Sequence, residues 1–366
     1  MRPVRFVMVG GFLGAGKTTT LLGLARHYIQ QGRRVALIAN DQADHLVDTA
    51  LFRSLAAASE VAGGCFCCRL NDLIRVAEQL TAQQWPDIIF AEPVGSCTDL
   101  VATVIQPLKR FYPAQYQVAP YVVLLDPHRA RRILSGERFG GFSPKVAYIF
   151  HKQLEEADAV AVNKLDLLSD ADVQELRQLL QRQYPEKHLF FFSARTGQGL
   201  EELIRFQELP GRYGTHIAEV DYDIYAEGEA ELGWLNAIAE LRAELAFIPD
   251  VLLTAVLNRI HEALQVSGAE VAHLKGLLHT TQGSSAANLV QLHGRVELSR
   301  CCAQPTQWGQ VILNARVACD PELLWQTVRQ ATEAVFREHG VTAHWLTYQR
   351  FRPARPVPIH RFAEAT

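Results

Sequence analysis

Up to about residue 210, short apolar runs alternate along the chain with segments of helical periodicity. Runs of about four to eight aliphatic and often β-branched residues predict buried strands. Such runs occupy residues 4–9, 33–40, 87–91, 121–125, 157–162 and 189–192. Residues 21–31 and 70–84 instead have the composition and spacing of helices. Strands that alternate with helices predict an α/β fold with a mostly parallel sheet covered on both faces.

The pattern changes near residues 210–215, where the sequence PGRYGT predicts a link between two domains. Longer strands are predicted beyond it, at residues 269–281, 288–301, 309–318 and 341–351, and helices at 247–265 and 321–339. This mixture indicates a smaller α+β C-terminal domain with a largely antiparallel sheet. We therefore expect one domain at 1–209, a second at 216–352 and an extended tail at 353–366.

The first predicted strand ends in the glycine-rich segment GGFLGAGKTT, residues 10–19. This segment fits the phosphate-binding P-loop pattern G-x-x-x-x-G-K-[ST] and precedes a helix. Glycines let backbone N–H groups turn towards phosphate oxygens, and the helix N-terminus adds further donors. Lys17 is expected to reach the β- and γ-phosphates, and the Thr18 hydroxyl to hold Mg²⁺. The predicted nucleotide contacts from this loop are Gly11, Gly14, Ala15, Gly16, Lys17, Thr18 and Thr19.

Two motifs further along the chain indicate which nucleotide is bound. Asn163, Lys164 and Asp166 form N-K-x-D at the end of the fifth predicted strand. The Asp166 carboxylate can accept two hydrogen bonds from guanine that adenine does not offer, which favours GTP. Ser193 and Ala194 follow the sixth strand and match the short loop that backs the base in many GTPases. In a parallel sheet all these strand ends lie at one edge, where ligands bind.

Acidic residues also follow predicted strands. Glu92 and Gly95 form E-x-x-G, where a P-loop NTPase carries a carboxylate near Mg²⁺ and a glycine near the γ-phosphate. We expect Glu92 to contact Mg²⁺ through water and Gly95 to sense the γ-phosphate; a strand-ending acidic turn is the alternative. Asp126 either contacts the same site or caps the next helix.

The acidic loop at residues 41–48 follows the second predicted strand. Asp41 or Asp44 is expected to orient the attacking water, and Asp41 is also a candidate metal ligand. His45 lies among these carboxylates and is the histidine best placed for a metal role.

The chain has seven cysteines, and three of them, Cys65, Cys67 and Cys68, form C-x-C-C. Thiolates are soft ligands that suit Zn²⁺, Cu(I) or Co²⁺. Three ligands cannot complete a Cys₄ site, so we expect an open metal site that favours transfer; three packed thiols are the alternative. Cys97 either approaches the site or packs in the core. The neighbours Cys301 and Cys302 are expected to be core or surface residues rather than a second metal site, because adjacent strand residues point to opposite faces and cannot easily share one ion.

Composition narrows the choice of partners. The 366 residues carry a net charge of −3 and are 48% hydrophobic, so neither nucleic acid nor an anionic membrane is an expected partner. The N-terminus shows no signal-peptide pattern and no apolar run is long enough for a membrane span, so a cytoplasmic location is expected. An odd, clustered set of cysteines indicates thiols or metal ligands rather than disulfides.

Together, the segments GGFLGAGKTT, GCFCC, E-x-x-G and NKLD resemble the CobW-type GTPases, related to the nickel-insertion GTPases of urease and hydrogenase. The resemblance covers residues 4–207 and implies a SIMIBI-class P-loop G domain, GTP hydrolysis, delivery of zinc or cobalt to a client protein, and in some members a homodimer. It assigns phosphate and Mg²⁺ contacts to Lys17 and Thr18, metal binding to the C-x-C-C cysteines, switching to E-x-x-G and guanine binding to N-K-x-D.

The chain departs from this family in its first switch. The family has N-E-F-G-E followed by an aspartate, whereas the same register here is NDQAD at residues 40–44 and then Asp48. HLKG at residues 273–276 is similar to the family's R-x-K-G strand, and the usual histidine-rich loop is missing. These differences indicate a divergent branch.

The leading hypothesis is a GTP-hydrolysing metallochaperone that uses GTP, Mg²⁺ and Zn²⁺ or Co²⁺ and serves an unidentified client metalloenzyme. GTP and Mg²⁺ would hold the 41–48 loop, the cysteines and Glu92 in an arrangement with high metal affinity, and hydrolysis would release the metal. One alternative is a GTP-dependent assembly factor that loads a corrinoid or another metal cofactor into an enzyme. A small-molecule kinase is less favoured, because a kinase does not need N-K-x-D.

Overall fold

The computed structural model describes residues 2–42, 47–137 and 141–366. The described chain divides into two compact units. The first is built from residues 2–42, Asp48–Gly228 and Arg355–Thr366, and the second, among the described residues, from Val47 and Glu229–Ala354. The second unit is therefore inserted into the first along the sequence.

The first unit contains alternating strands and helices. Its strands are β1 (Val4–Gly11), β2 (Val35–Asn40), β3 (Ala57–Val61), β4 (Ile88–Glu92), β5 (Tyr116–Val118), β6 (Val122–Leu125), β7 (Ala159–Val162) and β8 (His188–Phe191). Its helices are α1 (Lys17–Gln30), α2 (Val47–Arg53), α3 (Leu70–Gln84), α4 (Gln106–Phe111), α5 (Pro127–Leu134), α6 (Pro144–Glu156), α7 (Asp170–Gln183), α8 (Leu200–Glu208) and α9 (Tyr222–Ala230), the last ending at the unit boundary. A π-helical turn at Val101–Ile105 precedes α4, and a 3₁₀ turn at Leu165–Leu167 follows β7.

Within the described residues these strands form one sheet, in the order β3-β2-β4-β1-β6-β7-β8, with β5 beside β1. All of the pairings are parallel. Strands β2, β4, β6 and β7 are buried along their whole length, as their continuous apolar sequences require. The predicted α/β fold with a mostly parallel sheet is confirmed, and its carboxyl edge gathers the ends of β1, β2, β4, β6 and β7.

The second unit has a different architecture. Its elements are β9 (Gly233–Phe247), α10 (Pro249–Ser267), β10 (Val271–Thr280), β11 (Gly283–Leu289), β12 (Glu297–Arg300), β13 (Thr306–Val317), α11 (Pro321–Glu338) and β14 (Val341–Phe351). The strands pair antiparallel in the order β12-β11-β10-β13-β9-β14. Apolar residues of α10, α11 and the sheet share one core, which confirms the predicted α+β architecture.

Gly276 explains how α10 packs closely on this sheet. A Cβ atom at Gly276 would lie 2.8 Å from a methyl carbon of Leu253 and 2.8 Å from one of Leu257, both on α10. A larger residue at this position in the HLKG strand would therefore have to displace the side chains of Leu253 and Leu257.

Two parts of the second unit differ from the sequence prediction. The 15-residue strand β9 was not predicted, and the single strand expected at 288–301 is instead the end of β11, a loop and β12. The β9 sequence is rich in Ala, Leu and Glu, which favour helices. Its pairing with β13 on one side and β14 on the other overrides that local preference.

The segment between α8 and the second unit packs on the first unit. The Gly214 amide donates to the Asp158 carboxylate, with N···O distances of 2.8 and 3.0 Å, and the Gln106 side chain donates to the Gly214 carbonyl at 2.6 Å. The second compact unit accordingly starts at Glu229, later than the expected boundary at 216. No helix of the described chain has both the length and the apolar character that a bilayer span requires.

Candidate functional site

The P-loop connects β1 to α1. Gly16 precedes α1 with φ 91°, and a Cβ atom there would lie 2.2 Å from the side-chain nitrogen of Asn163. The loop therefore needs glycine at this position, both for the left-handed backbone and for the close approach of the N-K-x-D segment. Lys17 is buried, and its Nζ donates to the Gly11 carbonyl at 2.9 Å, across the mouth of the loop.

Three oxygen-bearing side chains meet at the start of α1. Thr18 Oγ1 lies 2.6 Å from Asp48 Oδ1 and 3.1 Å from Glu92 Oε1. A hydroxyl and two carboxylates are hard oxygen ligands of the kind that Mg²⁺ prefers. The residues present therefore fit Mg²⁺ beside the phosphate-binding loop.

Asp48 was not among the predicted metal ligands, although the family register had pointed to it as the aspartate after the first switch. Asp41 was predicted, and its Oδ1 accepts a hydrogen bond from the Gln42 amide at 2.6 Å. Asp44 and His45, the other candidates in this loop, lie outside the described residues.

The E-x-x-G segment follows β4. A Cβ atom at Gly95 would lie 2.9 Å from Lys17 Nζ and 3.0 Å from the Leu13 amide nitrogen. The absence of a side chain therefore lets the backbone at Gly95 lie directly against the P-loop. Gln153 fixes this segment, because its Nε2 donates to the carbonyls of Gly95 at 3.0 Å and Cys97 at 2.8 Å.

Asn163 joins three segments at the other side of the P-loop. Its Nδ2 donates to the Ala15 carbonyl at 3.0 Å, and its Oδ1 accepts from the Ala194 amide at 2.9 Å. The predicted phosphate loop, N-K-x-D motif and Ser-Ala loop are thus brought together by one side chain.

Asp166 lies at the edge of this group. Its Oδ1 accepts from Ser193 Oγ at 2.6 Å, and its Oδ2 accepts from the Arg195 guanidinium. Burial opposes the charge on Asp166, but the hydrogen bonds from Ser193 and Arg195 outweigh it and lower the pKa of the carboxyl. The side chain is therefore ionised at neutral pH and can accept hydrogen bonds.

Asp126 has both of the roles considered for it. Its carboxylate caps α5 by accepting from the Arg129 amide at 2.9 Å, and it accepts from Lys164 Nζ at 2.7 Å. Burial opposes its charge, but Lys164 and Arg129 together hold the pKa of Asp126 below its usual value. This ion pair fixes the side chain of the central N-K-x-D lysine.

Arg129 is a further residue that sequence reasoning missed. It is buried, donates to the Leu13 carbonyl of the P-loop, and lies 5.3 Å from the ring centres of both Phe12 and Phe142. It belongs to no motif, and its only sequence signal is a position shortly after the strand-ending Asp126.

The cysteine loop follows β3. The sulfur atoms of Cys65 and Cys67 are 2.8 Å apart, those of Cys65 and Cys68 are 3.3 Å apart, and those of Cys67 and Cys68 are 3.7 Å apart. Cys65 and Cys67 are buried, whereas Cys68 is partly exposed. Such a cluster of soft ligands fits a thiophilic metal such as zinc.

Asn40, at the end of β2, holds the cysteine loop in place. Its Nδ2 donates to the carbonyls of Val61 and Gly64, each at 2.8 Å, and its Oδ1 accepts from the Phe66 amide at 2.8 Å. The side chain is buried, so these bonds are shielded from water. Its role in orienting the thiols has no local signal in the sequence.

The thiols in the cluster are not equivalent. Hydrogen bonds from the neighbouring thiols, first Cys67 and then Cys68, lower the pKa of Cys65 well below its ordinary value. The same contact raises the pKa of Cys67 well above its ordinary value. Cys97 is buried and its side chain also hydrogen-bonds to Cys65, so it approaches the cluster.

Cys301 and Cys302 lie in the loop after β12 rather than on the expected strand. Cys301 is exposed and Cys302 is buried. One side chain is thus at the surface and the other in the core, as expected, but both lie in a loop and not on alternating faces of a strand.

Comparison with known proteins identifies the first unit. Residues 5–191 match the family described as CobW/HypB/UreG, nucleotide-binding domain, which is slightly more than half of the chain. The chain is 30% identical over 182 residues to the zinc chaperone YeiR of Escherichia coli (strain K12), covering 48% of this chain and 49% of the relative. It is 27% identical over 197 residues to the zinc chaperone CobW of a Sinorhizobium species, covering 46% and 53% respectively.

A shorter relative matches over most of its length. The chain is 25% identical over 214 residues to the urease accessory protein UreG of Metallosphaera sedula, covering 53% of this chain and 89% of the relative. By contrast, the chain spans about half the length of the two zinc chaperones. The matched region contains the P-loop, the cysteine loop, E-x-x-G and N-K-x-D, and through it the chain belongs to the CobW/HypB/UreG family.

Proposed function

We propose that this protein is a GTP-hydrolysing metallochaperone that binds zinc or cobalt at Cys65, Cys67 and Cys68 and delivers it to a client protein. The observation that carries the proposal is the cysteine cluster, whose sulfur atoms all lie within 4.8 Å of one another. The cluster belongs to the same compact unit as the P-loop. The names of the relatives in Escherichia coli and Sinorhizobium, both zinc chaperones, support zinc as the cargo.

GTP is the proposed nucleotide because of Asp166 and Asn163. Asp166 is held ionised beside the Ser193–Ala194 loop, where it can accept from the two donors of guanine. Asn163 fixes that region against the P-loop, so base and phosphates would be held by one connected structure. Mg²⁺ would be held by Thr18, Asp48 and Glu92, and would neutralise charge on the phosphates.

Asn40 and Asp48 connect the two chemistries. Asn40 holds the cysteine loop, and Asp48 contacts Thr18 beside the phosphate-binding loop. Asn40 and Asp48 are close in the sequence, so a change at Mg²⁺ and the γ-phosphate would act on Asp48 and be passed to Asn40 and the thiols. Loss of the γ-phosphate on hydrolysis would change the contacts of Asp48 and weaken metal binding.

The test is metal affinity in two nucleotide states. Zn²⁺ and Co²⁺ dissociation constants are measured by competition with a chromophoric chelator, with a non-hydrolysable GTP analogue and with GDP. We expect metal binding at least about tenfold tighter with the analogue, because only the analogue keeps the γ-phosphate; by linkage the metal should tighten binding of the analogue by the same factor. Replacing the three clustered cysteines by serine should abolish binding, whereas the matched control Cys301→Ser should leave it unchanged, because Cys301 is exposed and outside the cluster. Equal affinities in both nucleotide states would refute the switch.

A further inference from the structure

The segment Arg355–Thr366 packs on the unit that carries the cysteine cluster, and we call it the covering segment. The Val357 amide donates to Cys68 Sγ at 3.2 Å, and the Ile359 amide donates to the Cys67 carbonyl at 3.0 Å. The covering segment therefore bonds directly to the most exposed sulfur of the cluster and to the backbone of its neighbour.

An ion pair fixes the covering segment just beyond these contacts. Arg361 Nε donates to Asp99 Oδ2 at 2.7 Å, and its Nη2 lies 3.4 Å from Asp99 Oδ1 and 3.1 Å from the Ala218 carbonyl. Asp99 is 1% exposed, and it also accepts from the Tyr222 hydroxyl at 2.6 Å. A carboxylate buried this deeply needs a partner charge, so Arg361 is bound more firmly than a surface arginine would be.

Weaker contacts flank this anchor. The Phe362 amide donates to the Ala102 carbonyl at 3.1 Å, and the Arg110 guanidinium lies 4.1 Å from the centre of the Phe362 ring. On the other side of Val357, Arg355 pairs with Asp223 at 2.8 Å, where both side chains are exposed and the pair adds little. Val357 and Ile359 are thus held at both ends.

The anchor also reaches the nucleotide side of the unit. Asp99 lies in the same short segment as Gly95, which packs against Lys17, and Cys97, which contacts Cys65. The Gln153 side chain donates hydrogen bonds to the backbone carbonyls of Gly95 and Cys97 and so fixes this segment. One segment therefore touches the P-loop at its start and the covering segment at its end.

We propose that the covering segment positions one thiol of the cysteine cluster and controls access to the cluster. The Val357 amide positions the Cys68 sulfur, and the Arg361–Asp99 pair holds the segment over Cys67 and Cys68. Metal ions and thiol reagents reach the cluster when the segment lifts. For the metal, this inference rests on the proposed function; for the access of reagents to Cys68, it stands on the contacts alone.

The first experiment measures thiol access in metal-free protein. Alkylation of Cys68 by iodoacetamide is followed by peptide mass spectrometry, with the exposed Cys301 of the same chain as internal reference. We expect Arg361→Gln, and a chain shortened to end at Ala354, to react at Cys68 about tenfold faster because local opening limits access. The matched control is Arg352→Gln, since Arg352 contacts the Ala230 carbonyl and not the cluster. Equal rates at Cys68 in all four proteins would overturn the covering role.

The second experiment isolates the Val357 amide. Val357 lies between Pro356 and Pro358, so Val357→Pro removes the N–H donor from a stretch whose neighbours already favour extended backbone. We expect Co²⁺ bound to this variant to show a shifted thiolate charge-transfer band and to be lost to a chelator about tenfold faster, with the Arg361 anchor intact. An unchanged spectrum and rate would refute the positioning role.

The two experiments separate this inference from the proposed function. Faster alkylation in Arg361→Gln, with no thiolate–cobalt absorption in any protein including the unmodified one, supports the covering role and refutes metal binding by the cluster. Cobalt absorption in every protein, with identical alkylation and release rates, supports metal binding and refutes the covering role. Thermal denaturation of each variant identifies any that fails to fold. If Arg361→Gln fails to fold, the result with Val357→Pro decides the question.

Discussion

Glu156, the last residue of α6, carries a proton in the folded protein over a wide pH range. The side chain is completely buried; its Oε1 accepts from Thr98 Oγ1 at 3.1 Å and its Oε2 accepts from the Val101 amide at 3.0 Å. Burial raises the pKa of Glu156 from 4.5 to about 8, and the nearby Asp99 carboxylate adds to the rise. Both hydrogen-bond donors, Thr98 and Val101, belong to the segment that follows E-x-x-G. The charge state of Glu156 therefore affects the hydrogen bonds of that segment.

The sign of the pH dependence follows from these two values. Between pH 4.5 and about 8 the folded state keeps a proton that the unfolded state has released. Stability from this group is therefore fully present below pH 4.5 and falls as the pH rises towards about 8. At about 1.4 kcal/mol per pKa unit, the contribution of Glu156 to the free energy of unfolding of the first unit should fall by about 3 kcal/mol between roughly pH 5.5 and 8.5.

Glu156→Gln tests this reasoning, because glutamine has the shape and hydrogen-bonding groups of the protonated acid but does not titrate. Urea denaturation is carried out at both pH values, and a brief deuterium pulse at one fixed pH reports the unfolding of β1 and β6 peptides. The free energy of unfolding of the variant should rise by about 3 kcal/mol relative to that of the wild type as the pH is raised. Because the two proteins are compared at each pH, the contributions of all other titrating groups cancel. A wild-type-to-variant difference that is the same at both pH values would show that Glu156 is ionised in the folded state.

Two further substitutions test the site. Gly95→Ala should lower the rate of GTP hydrolysis by about tenfold or more with the fold intact, because the new methyl group would lie 2.9 Å from Lys17 Nζ. The rate is measured in a phosphate-release assay. The matched control is Gly23→Ala on α1, where the methyl group would lie 3.6 Å from Leu200. Asn40→Ala should weaken zinc binding by about ten- to a hundredfold while sparing GTP binding, since it removes three hydrogen bonds of a buried side chain that shape the cysteine loop. Zinc titration beside a fluorescent GTP analogue checks this, and parallel loss of both affinities would show general unfolding instead.

The parallel sheet could be predicted because its strands are buried on both faces and their sequences are continuously apolar. β3 lacks that signal, since it lies at the edge of the sheet and is mostly half-buried, and it was missed. β9 was missed for a different reason. Its sequence favours a helix, and only pairing with its two neighbouring strands makes it extended. The local sequence pattern predicts a strand correctly where the strand is uniformly buried. It misleads where pairing with segments distant in the sequence determines the backbone conformation.

The same division holds for the site. Lys17, Thr18 and Asn163 belong to contiguous motifs, and their positions at strand ends predicted that they would lie near one another. Arg129 and Arg361 act through contacts with residues far along the chain, and nothing in the sequence around them indicates such contacts. Asp48 was indicated only by the family register, and its contact with Thr18 required the folded structure. Asn40 lies between these cases, since its position was noted but its three hydrogen bonds required the folded loop.

The insertion of the second unit into the first also sets an order of events during synthesis. The cysteine loop leaves the ribosome before the second unit is made, and the covering segment leaves after it. Val357 follows Cys68 by 289 positions, so at roughly 5–20 residues per second the thiols wait about 15–60 s for their cover. For that interval the nascent chain lacks the two hydrogen bonds that Val357 and Ile359 of the completed chain make to Cys68 and Cys67.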